Sequence, residues 1–390
     1  MLAILSTHPI QYQVPLWQAL ARDGRVPFEV WYVSDHGTRV SHDREFGQAF
    51  SWDLPTLSGY PSRFLESVAG DKPVTFRGWR LKQSLRPLLE ASGARALWIQ
   101  GWHVGAYWQA VVGARGARVP VWMRGESNDL RPSPPMKKVV KTIVLGWLFS
   151  RVDQFLYIGQ ANRRLYKNYG VPDSKLHFAP YAIDNERFAR QAAELQPERL
   201  AIRESWGIPQ NAFCVLYCGK LIPKKHPASI VEAARLLRQS GRIAQVHPLF
   251  VGSGELEGEL REACSVAQTP ATFAGFLNQR EISKAYVAAD CLALPSDTGE
   301  TWGLVVNEAL ASGLPCVSSR QAGCTEDLVA RHWPGRTFDY WDVAGLASAI
   351  YDAWKTGRDT KERMAVADYS YEATCNEVVR LYGELTREQK

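Results

Sequence analysis

Two glutamates, Glu300 and Glu308, flank a predicted helix start within the stretch CLALPSDTGETWGLVVNEALASGLPCVSS at 291–319. The stretch begins with a short apolar run, as expected for a strand buried on both faces, and continues into a turn-rich loop. A helix is predicted from about Leu304 to the Gly-Leu-Pro stop at 313–315. Both acids are candidates for binding hydroxyl groups, because a carboxylate accepts hydrogen bonds from them.

The segment between the two acids is suited to an anion. Main-chain N–H groups at a helix start lack partners within the helix and bind anions. The residues that would supply these groups are Thr301, Trp302, Gly303, Leu304 and Val305. The acids are separated by roughly 10 Å, given a rise of about 1.5 Å per helical residue. A nucleotide sugar has this layout, with a diphosphate between two hydroxyl-bearing groups. The alternative is that both glutamates are ordinary solvated residues, because the spacing alone is common.

Two lysines follow a second predicted strand, at 213–218. Gly219 opens the loop, and Lys220 and Lys225 place positive charge beside the end of the strand. Fixed cations there would stabilise the charge that develops on a diphosphate leaving group. The alternative is a solvated lysine-rich loop.

Two further strand ends in the second half are candidate ligand contacts. Gly252 and Gly254 form a Gly-x-Gly turn after one predicted strand, and Phe276 follows the next. A plain turn and simple packing would explain them equally well.

The residues PSDTGETWGLVVNEALASGLP at 295–315 resemble the signature of retaining glycosyltransferases with the GT-B fold, in the large family 4. The resemblance implies that Glu308 holds the ribose of the donor, Glu300 the donor sugar and the intervening amides the diphosphate. Members usually carry arginine and lysine five positions apart where this chain has Lys220 and Lys225. It also implies that the loops carrying Gly219, Gly252, Gly254 and Phe276 lie beside the nucleotide.

The resemblance further implies transfer of a sugar from a UDP-, GDP- or dTDP-linked donor to an acceptor hydroxyl. Attack would come on the face that the leaving group occupied, through a short-lived oxocarbenium-like species, with no metal or other cofactor. By family habit the acceptor would be a glycan or glycolipid in cell-surface polysaccharide or glycoconjugate biosynthesis. No nucleic-acid partner is expected.

Predicted strands and helices alternate along both halves of the chain, which is typical of an α/β fold with doubly wound parallel sheets. Together with the resemblance, this predicts a GT-B arrangement of two Rossmann-like domains facing a cleft. We expect an acceptor-binding domain at 1–188 and a nucleotide-sugar-binding domain at 189–369. The last helix, about 370–390, is expected to cross back to the first domain.

The first half departs from the family pattern, since its first loop lacks the usual glycines. Four residues near predicted strand ends are candidates for the acceptor side: His8, His103, Arg124 and Glu126. Arg124 would neutralise phosphate charge and Glu126 would bind acceptor hydroxyls, unless the two form an ion pair that holds the loop. His8 would line the cleft. The alternative is that its side chain is only structural or solvated. The aromatic stretch 43–60 is either an acceptor loop or a packed edge hairpin.

The segment MKKVVKTIVLGWLFSR at 136–151 combines three lysines with an apolar run. This composition suits a helix on an anionic membrane surface. It also suits a helix packed on the sheet with its lysines reaching solvent. Packing is favoured, because a doubly wound domain needs a helix before the strand predicted at Gln154.

Composition bounds the remaining possibilities. The net charge is +6, which suits phosphate-bearing ligands or an anionic surface. The seven cysteines include no C-x-x-C pair and predict free thiols in a reducing compartment. No apolar run approaches the roughly 20 residues that span a bilayer. We therefore expect a cytoplasmic protein, peripheral on the inner face of the membrane if the segment 136–151 binds there.

Three other functions remain as alternatives. A glycoside hydrolase or phosphorylase-type enzyme would use Glu300 and Glu308 as its carboxylate pair, but hydrolases place such carboxylates about 5–9.5 Å apart. A dinucleotide-dependent oxidoreductase would need G-x-G-x-x-G after the first strand, which is absent. A non-catalytic nucleotide-sugar binder would keep the fold without the reaction.

Overall fold

The computed structural model describes residues 1–36, 41–43, 48–50, 56–69, 75–132, 134–358 and 361–388. The chain divides into two compact units. The first consists of Met1–Ser41, Leu54–Tyr181 and Tyr371–Lys390, and the second of His42–Asp53 and Ala182–Ser370. The C-terminal segment therefore returns to the first unit, as predicted.

The first unit contains a seven-stranded parallel sheet. The strands that precede Ala182 in the chain are β1 Leu2–Ser6, β2 Phe28–Tyr32, β3 Ser41–Asp43, β4 Gln48–Phe50, β5 Ser62–Phe64, β6 Ser67–Ala69, β7 Trp79–Leu81, β8 Ala96–Ile99, β9 Val121–Met123, β10 Gln154–Tyr157 and β11 Leu176–Phe178. Of these, β4 and most of β3 belong to the second unit. The order in the sheet is β11-β10-β9-β8-β1-β2-β5, while β3-β4 and β6-β7 form separate pairs. Half of the stretch 43–60 lies outside the described residues, so its two interpretations stay open.

Helices cover both faces of this sheet. They are α1 Val14–Asp23, α2 Arg86–Ala91, α3 Gly105–Gly116, α4 Pro135–Phe149 and α5 Gln160–Asn168. One apolar core lies under α1 and includes Cys375, Val378 and Leu381 from the C-terminal segment. The other lies under α3 and the last turns of α4. Alternate residues of β1 and β8 contribute to the two cores, so both strands are buried along their whole length.

The second unit contains a six-stranded parallel sheet with the order β14-β13-β12-β15-β16-β17. Its strands are β12 Phe213–Cys218, β13 Val246–Val251, β14 Thr272–Gly275, β15 Cys291–Leu294, β16 Cys316–Ser319 and β17 Thr337–Phe338. The remaining helices are α6 Asn185–Leu195, α7 Arg199–Ser205, α8 Ala228–Gln239, α9 Glu257–Val266, α10 Ile282–Ala288, α11 Leu304–Ala311, α12 Val343–Thr356, α13 Lys361–Ala365 and α14 Tyr371–Glu388, the last being the C-terminal helix of the first unit.

Each sheet has one point at which the strand order reverses. In the first unit β1 lies between β2 and β8, and in the second β12 lies between β13 and β15. In open α/β sheets the loops at the carboxyl ends of such strands diverge and leave a crevice where ligands bind. The loops after β1 and β8, and those after β12 and β15, are therefore the places to look for functional side chains.

Candidate active site

Lys225 and Glu300, predicted separately from two strand ends, form an ion pair. Lys225 ends a 3₁₀ turn at Pro223–Lys225 after β12, and its Nζ donates to Glu300 Oε2 in the loop after β15. The two side chains are 21% and 12% exposed. The two residues are 75 positions apart in the sequence. The sheet brings them together, because β12 and β15 are neighbouring strands at the reversal point. Neither side chain is a solvated surface charge.

Hydrogen bonds hold the Glu300 loop against the Lys225 turn. The Asp297 N–H donates to the Lys224 carbonyl over 3.0 Å, and the Glu300 N–H donates to the Asp297 carbonyl over 3.0 Å. Ser296 Oγ also donates to Glu300 Oε2 over 3.3 Å. The Glu300 carboxylate is thus fixed by two side chains and by its own loop before any ligand arrives.

Glu308 lies on the first turns of α11 and is only 2% exposed. The hydroxyl of Tyr286, in α10, donates to its Oε2 over 2.5 Å. Burial raises the pKa of the neighbouring Cys218 thiol to about 12, and the Glu308 charge adds to the rise. Glu308 is therefore held in a fixed orientation, and the alternative of a surface helix residue is wrong.

The residues at the start of α11 are tightly packed. Gly303 caps the helix at φ +107°, and a Cβ at this position would lie 2.8 Å from Leu294 Cδ2. The Trp302 side chain is buried and donates from its indole N–H to Asn307 over 2.9 Å. Its ring has a structural role, so the predicted contribution of Trp302 to a ligand is restricted to the main chain. The anion-binding role predicted for the main-chain amides of Thr301, Leu304 and Val305 stays a prediction.

The glycines after β12 and β13 have a clear structural cause. The Gly219 N–H donates to Val251 over 2.9 Å, so the two loops continue side by side beyond the sheet. A Cβ on Gly252 would lie 2.0 Å from the Gly219 carbonyl oxygen, and one on Gly254 would lie 2.4 Å from that of Leu221. Only glycine permits this approach, which brings the loop of Lys220 against the Gly-x-Gly turn. Phe276, after β14, is half-buried at the same sheet edge.

The acceptor-side candidates His8 and His103 belong to a histidine cluster. The His8 ring lies 5.2 Å from that of His36 and 5.3 Å from that of Trp79. Burial lowers the pKa of His8 to about 4, with His36 and His103 adding to the effect. Burial also lowers the pKa of His103. The three histidines of the cluster follow β1, β2 and β8, which are adjacent strands, and His8 is neutral at neutral pH.

Sequence reasoning missed His36 and Trp79. His36 follows the end of β2 by four residues, and the same strand-end rule that selected His8 and His103 would have found it. Trp79 lies in β7, which pairs only with β6 outside the main sheet, so no pattern in the sequence indicated that its ring reaches His8.

Arg124 is buried and engaged with the main chain. Its Nη2 donates to the Pro180 carbonyl over 2.8 Å, and its guanidinium lies over the Tyr181 ring, 5.2 Å from the centroid. Burial raises the pKa of Glu126, which is hydrogen-bonded to Tyr181 and faces the charge of Arg124. These contacts to Pro180 and Tyr181 hold the loop after β9 to the chain after β11. The roles of Arg124 and Glu126 at an acceptor stay predictions.

The described residues contain neither a metal-binding cluster nor a membrane-spanning helix. No group of three or more histidine, cysteine, aspartate or glutamate side chains there could hold a metal ion. No helix in the described ranges is long and apolar enough to cross a bilayer. All seven cysteines are free thiols, six of them buried.

The second unit matches a family model. Residues 198–372 match the model described as Glycosyl transferases group 1. Residues 198–372 are a glycosyl transferases group 1 domain. This group 1 domain contains Lys220, Lys225, Glu300 and Glu308, together with Tyr286.

Curated relatives carry related names. The chain is 32% identical over 130 residues to the GDP-mannose-dependent alpha-(1-6)-phosphatidylinositol dimannoside mannosyltransferase of Mycobacterium tuberculosis, covering 33% of this chain and 32% of that protein. Across three of the relatives, the chain spans 28%, 32% and 54% of their length. The relatedness is therefore to part of each protein.

Solved structures match the whole chain in fold. A glycosyltransferase from Rickettsia africae superposes with a TM-score of 0.73 at 13% identity, covering 99% of this chain and 98% of that one. Anabaena Alr3699/HepE in complex with UDP superposes with a TM-score of 0.70 at 17% identity, covering 98% and 99%. The fold is GT-B, as the sequence predicts, with one parallel sheet in each unit.

Proposed function

We propose that the protein is a retaining glycosyltransferase, which moves a sugar from a nucleotide-sugar donor to an acceptor hydroxyl. The observation that carries the proposal is the fixed Lys225–Glu300 pair beside the start of α11, with Glu308 buried on the same helix. Cation, amide donors and two oriented carboxylates are the groups that a nucleoside diphosphate sugar requires.

The leaving diphosphate would be stabilised by positive charge and by amide donors. Lys225 supplies a fixed cation, Lys220 a second cation in the same loop, and the start of α11 supplies N–H groups. Lys225 is already held in place by Glu300, so little rearrangement is needed as charge develops. We propose that these groups do the work without a metal ion, and that activity survives a strong chelator.

Each of the two carboxylates would bind the hydroxyl groups of a different part of the donor. Glu308 is oriented by Tyr286 and suits the ribose, whereas Glu300, on the loop after β15, suits the transferred sugar. The ion pair with Lys225 favours Glu300 as a hydrogen-bond acceptor rather than as an attacking nucleophile. This supports a reaction that retains the anomeric configuration by attack on the leaving-group face.

The relatives narrow the donor and acceptor classes to be tested. One is named as GDP-mannose-dependent and acting on phosphatidylinositol dimannoside, and one structural neighbour is described with UDP-glucose. We propose a UDP-, GDP- or dTDP-linked donor and a glycan or glycolipid acceptor of cell-surface polysaccharide or glycoconjugate biosynthesis. The site of action would be the cytoplasm, at the inner face of the membrane.

A donor panel tests the proposal directly. The purified protein is screened against UDP-, GDP-, dTDP- and ADP-sugars for a rise in melting temperature and for slow hydrolysis of the donor. We expect one base to stabilise the protein and its sugar to be released from the diphosphate. Proton NMR of the transferred sugar then reports its anomeric configuration, for which retention is expected. Release of sugar from oligosaccharides without any nucleotide would replace this proposal by a glycoside hydrolase.

A further inference from the structure

Helix α4 exposes an apolar stripe to solvent. We call these residues the α4 stripe. They follow helical spacing and are Met136 (83% exposed), Val139 (60%), Val140 (61%), Ile143 (68%), Val144 (44%) and Trp147 (45%). Within α4 only Leu145, Leu148 and Phe149 are buried. The expectation that this helix packs on the sheet therefore holds for its C-terminal end alone. Apolar side chains exposed in such a row mark a surface that another apolar phase covers.

Aromatic side chains extend the stripe beyond α4. The Trp147 ring stacks on Trp108 of α3 at 5.9 Å between centroids, and Trp108 meets Phe76 edge to face at 5.6 Å. Phe76 is 51% exposed, and Val112, one turn after Trp108, is 59% exposed. The patch thus spans α3, α4 and the segment before β7, and it ends in tryptophans, the residues enriched where protein meets the lipid headgroup region.

The charged residues of α4 are all positive. Lys137, Lys138 and Lys141 lie on α4 outside the stripe, and Pro135–Phe149 contains no acidic residue. The Arg151 guanidinium lies 3.8 Å from the centroid of the Trp147 ring. Apolar stripe, flanking cations and interfacial tryptophan are the combination of a helix that lies in the surface of an anionic bilayer.

We propose that the first unit docks on an anionic lipid surface through the α4 stripe and the Phe76–Trp108–Trp147 aromatic row. A lipid surface accounts for the patch better than a second copy of the chain. A symmetric contact along α4 would bring like-charged lysines of two helices together, and this repulsion opposes it. An anionic bilayer instead attracts the same lysines.

The patch adjoins the histidine cluster. The Phe76 carbonyl accepts a hydrogen bond from the Gly105 N–H over 2.9 Å at the start of α3, and Trp79, three residues later, contacts His8. Docking would therefore hold the histidines close to lipid headgroups. A lipid-linked acceptor would then reach the histidines from the bilayer. This consequence rests on the proposed function, whereas the docking itself does not.

Vesicle flotation tests the docking without reference to activity. The full chain is mixed with vesicles of phosphatidylcholine, or of phosphatidylcholine with phosphatidylglycerol. We expect binding to the anionic vesicles that weakens with salt. Lys137→Gln, Lys138→Gln and Lys141→Gln combined should lower it by about 100-fold, at about fivefold per lysine. Val140→Asp with Ile143→Asp should lower it by at least about tenfold, since charge then replaces apolar contact.

Matched controls separate the possible outcomes. Met364→Asp and Val266→Asp change apolar residues that are 73% and 80% exposed in the second unit, and should leave binding unchanged. The melting temperature and its shift with nucleotide sugar should be unchanged in all variants, which separates docking from the donor site. Failure of the wild type to bind anionic vesicles, or equal binding by the α4 variants, would overturn the proposal. A dimer that Val140→Asp dissociates, with vesicle binding unchanged, would assign the stripe to a second copy instead.

Discussion

The hydroxyl of Tyr286 donates to Glu308 Oε2 over 2.5 Å, and both residues are buried in the second unit. A carboxylate on a helix has several rotamers, and this hydrogen bond selects one of them. Tyr286 is thus a positioning residue for the acid that we assign to the ribose. Its hydroxyl also lies 3.9 Å from Cys218 Sγ, at the end of β12.

Tyr286→Phe should weaken nucleotide-sugar binding by about tenfold while changing kcat little. Hydrogen bonds to charged groups contribute about 1.5–3 kcal/mol, and a tenfold change in affinity corresponds to about 1.4 kcal/mol. Titration calorimetry with the preferred donor measures the effect. Tyr351→Phe, on α12, should bind as the wild type does, and a Tyr286→Phe protein with unchanged donor affinity would remove the positioning role.

Lys225→Ala should lower kcat by about 100- to 1000-fold with a smaller change in donor affinity. The reason is that a fixed cation at a leaving diphosphate acts chiefly on charge that develops in the transition state. Steady-state kinetics with the preferred donor provide the measurement. The adjacent Lys224 is exposed and serves as the matched control. Equal losses in Lys224→Ala and Lys225→Ala would mean that general surface charge, rather than this position, matters.

Gly252→Ala should destabilise the second unit by about 3 kcal/mol and abolish donor-induced stabilisation, because the added methyl overlaps the Gly219 carbonyl. Gly258→Ala is the comparison, since a Cβ there meets nothing within 4 Å. Alanine in that helical position should be neutral or slightly stabilising. Urea denaturation followed by fluorescence compares the two. A Gly252→Ala protein as stable as Gly258→Ala would show that the two loops are not as close as described.

Acidification should destabilise the first unit through His8. Its pKa is about 4 in the folded chain and 6.5 ordinarily, so the unfolded chain binds the proton more readily between these values. The contribution to stability is complete above about pH 6.5 and is lost as the pH falls toward 4. Its full size is about 3 kcal/mol, because the pKa falls from 6.5 to about 4 and each pKa unit corresponds to about 1.4 kcal/mol.

Melting temperatures across this pH window measure the effect. His8→Gln lacks the titrating ring and should lose less stability than the wild type when the pH falls from neutral to about 5. Parallel curves for the two proteins would show that His8 does not supply the slope.

The sequence anticipated much of the strand framework. The apolar run at 213–218 predicted β12 with the ends that the structure has, because a strand buried on both faces leaves little ambiguity. The sequence also selected Lys225 and Glu300 from separate strand ends. That the two form an ion pair depends on β12 and β15 being neighbours, which strand patterns alone do not determine.

The contacts between side chains were the main feature that the sequence did not predict. Tyr286 reads as a core residue of α10, and nothing in its neighbours indicates that its hydroxyl meets Glu308. Arg124 looked like a phosphate ligand because it follows β9, but its guanidinium is directed at the carbonyls of Ala179 and Pro180. The exposure of α4 was likewise hidden, since its apolar residues suggest burial as readily as a surface role.

The crystal structure of the protein with its preferred nucleotide sugar is the most direct test of the account. We predict the diphosphate beside Lys225 and the first amides of α11, the ribose hydroxyls on Glu308 and the sugar hydroxyls on Glu300. A nucleotide bound away from the carboxyl ends of β12 and β15, with Glu300 and Glu308 making no contact to it, would contradict the account.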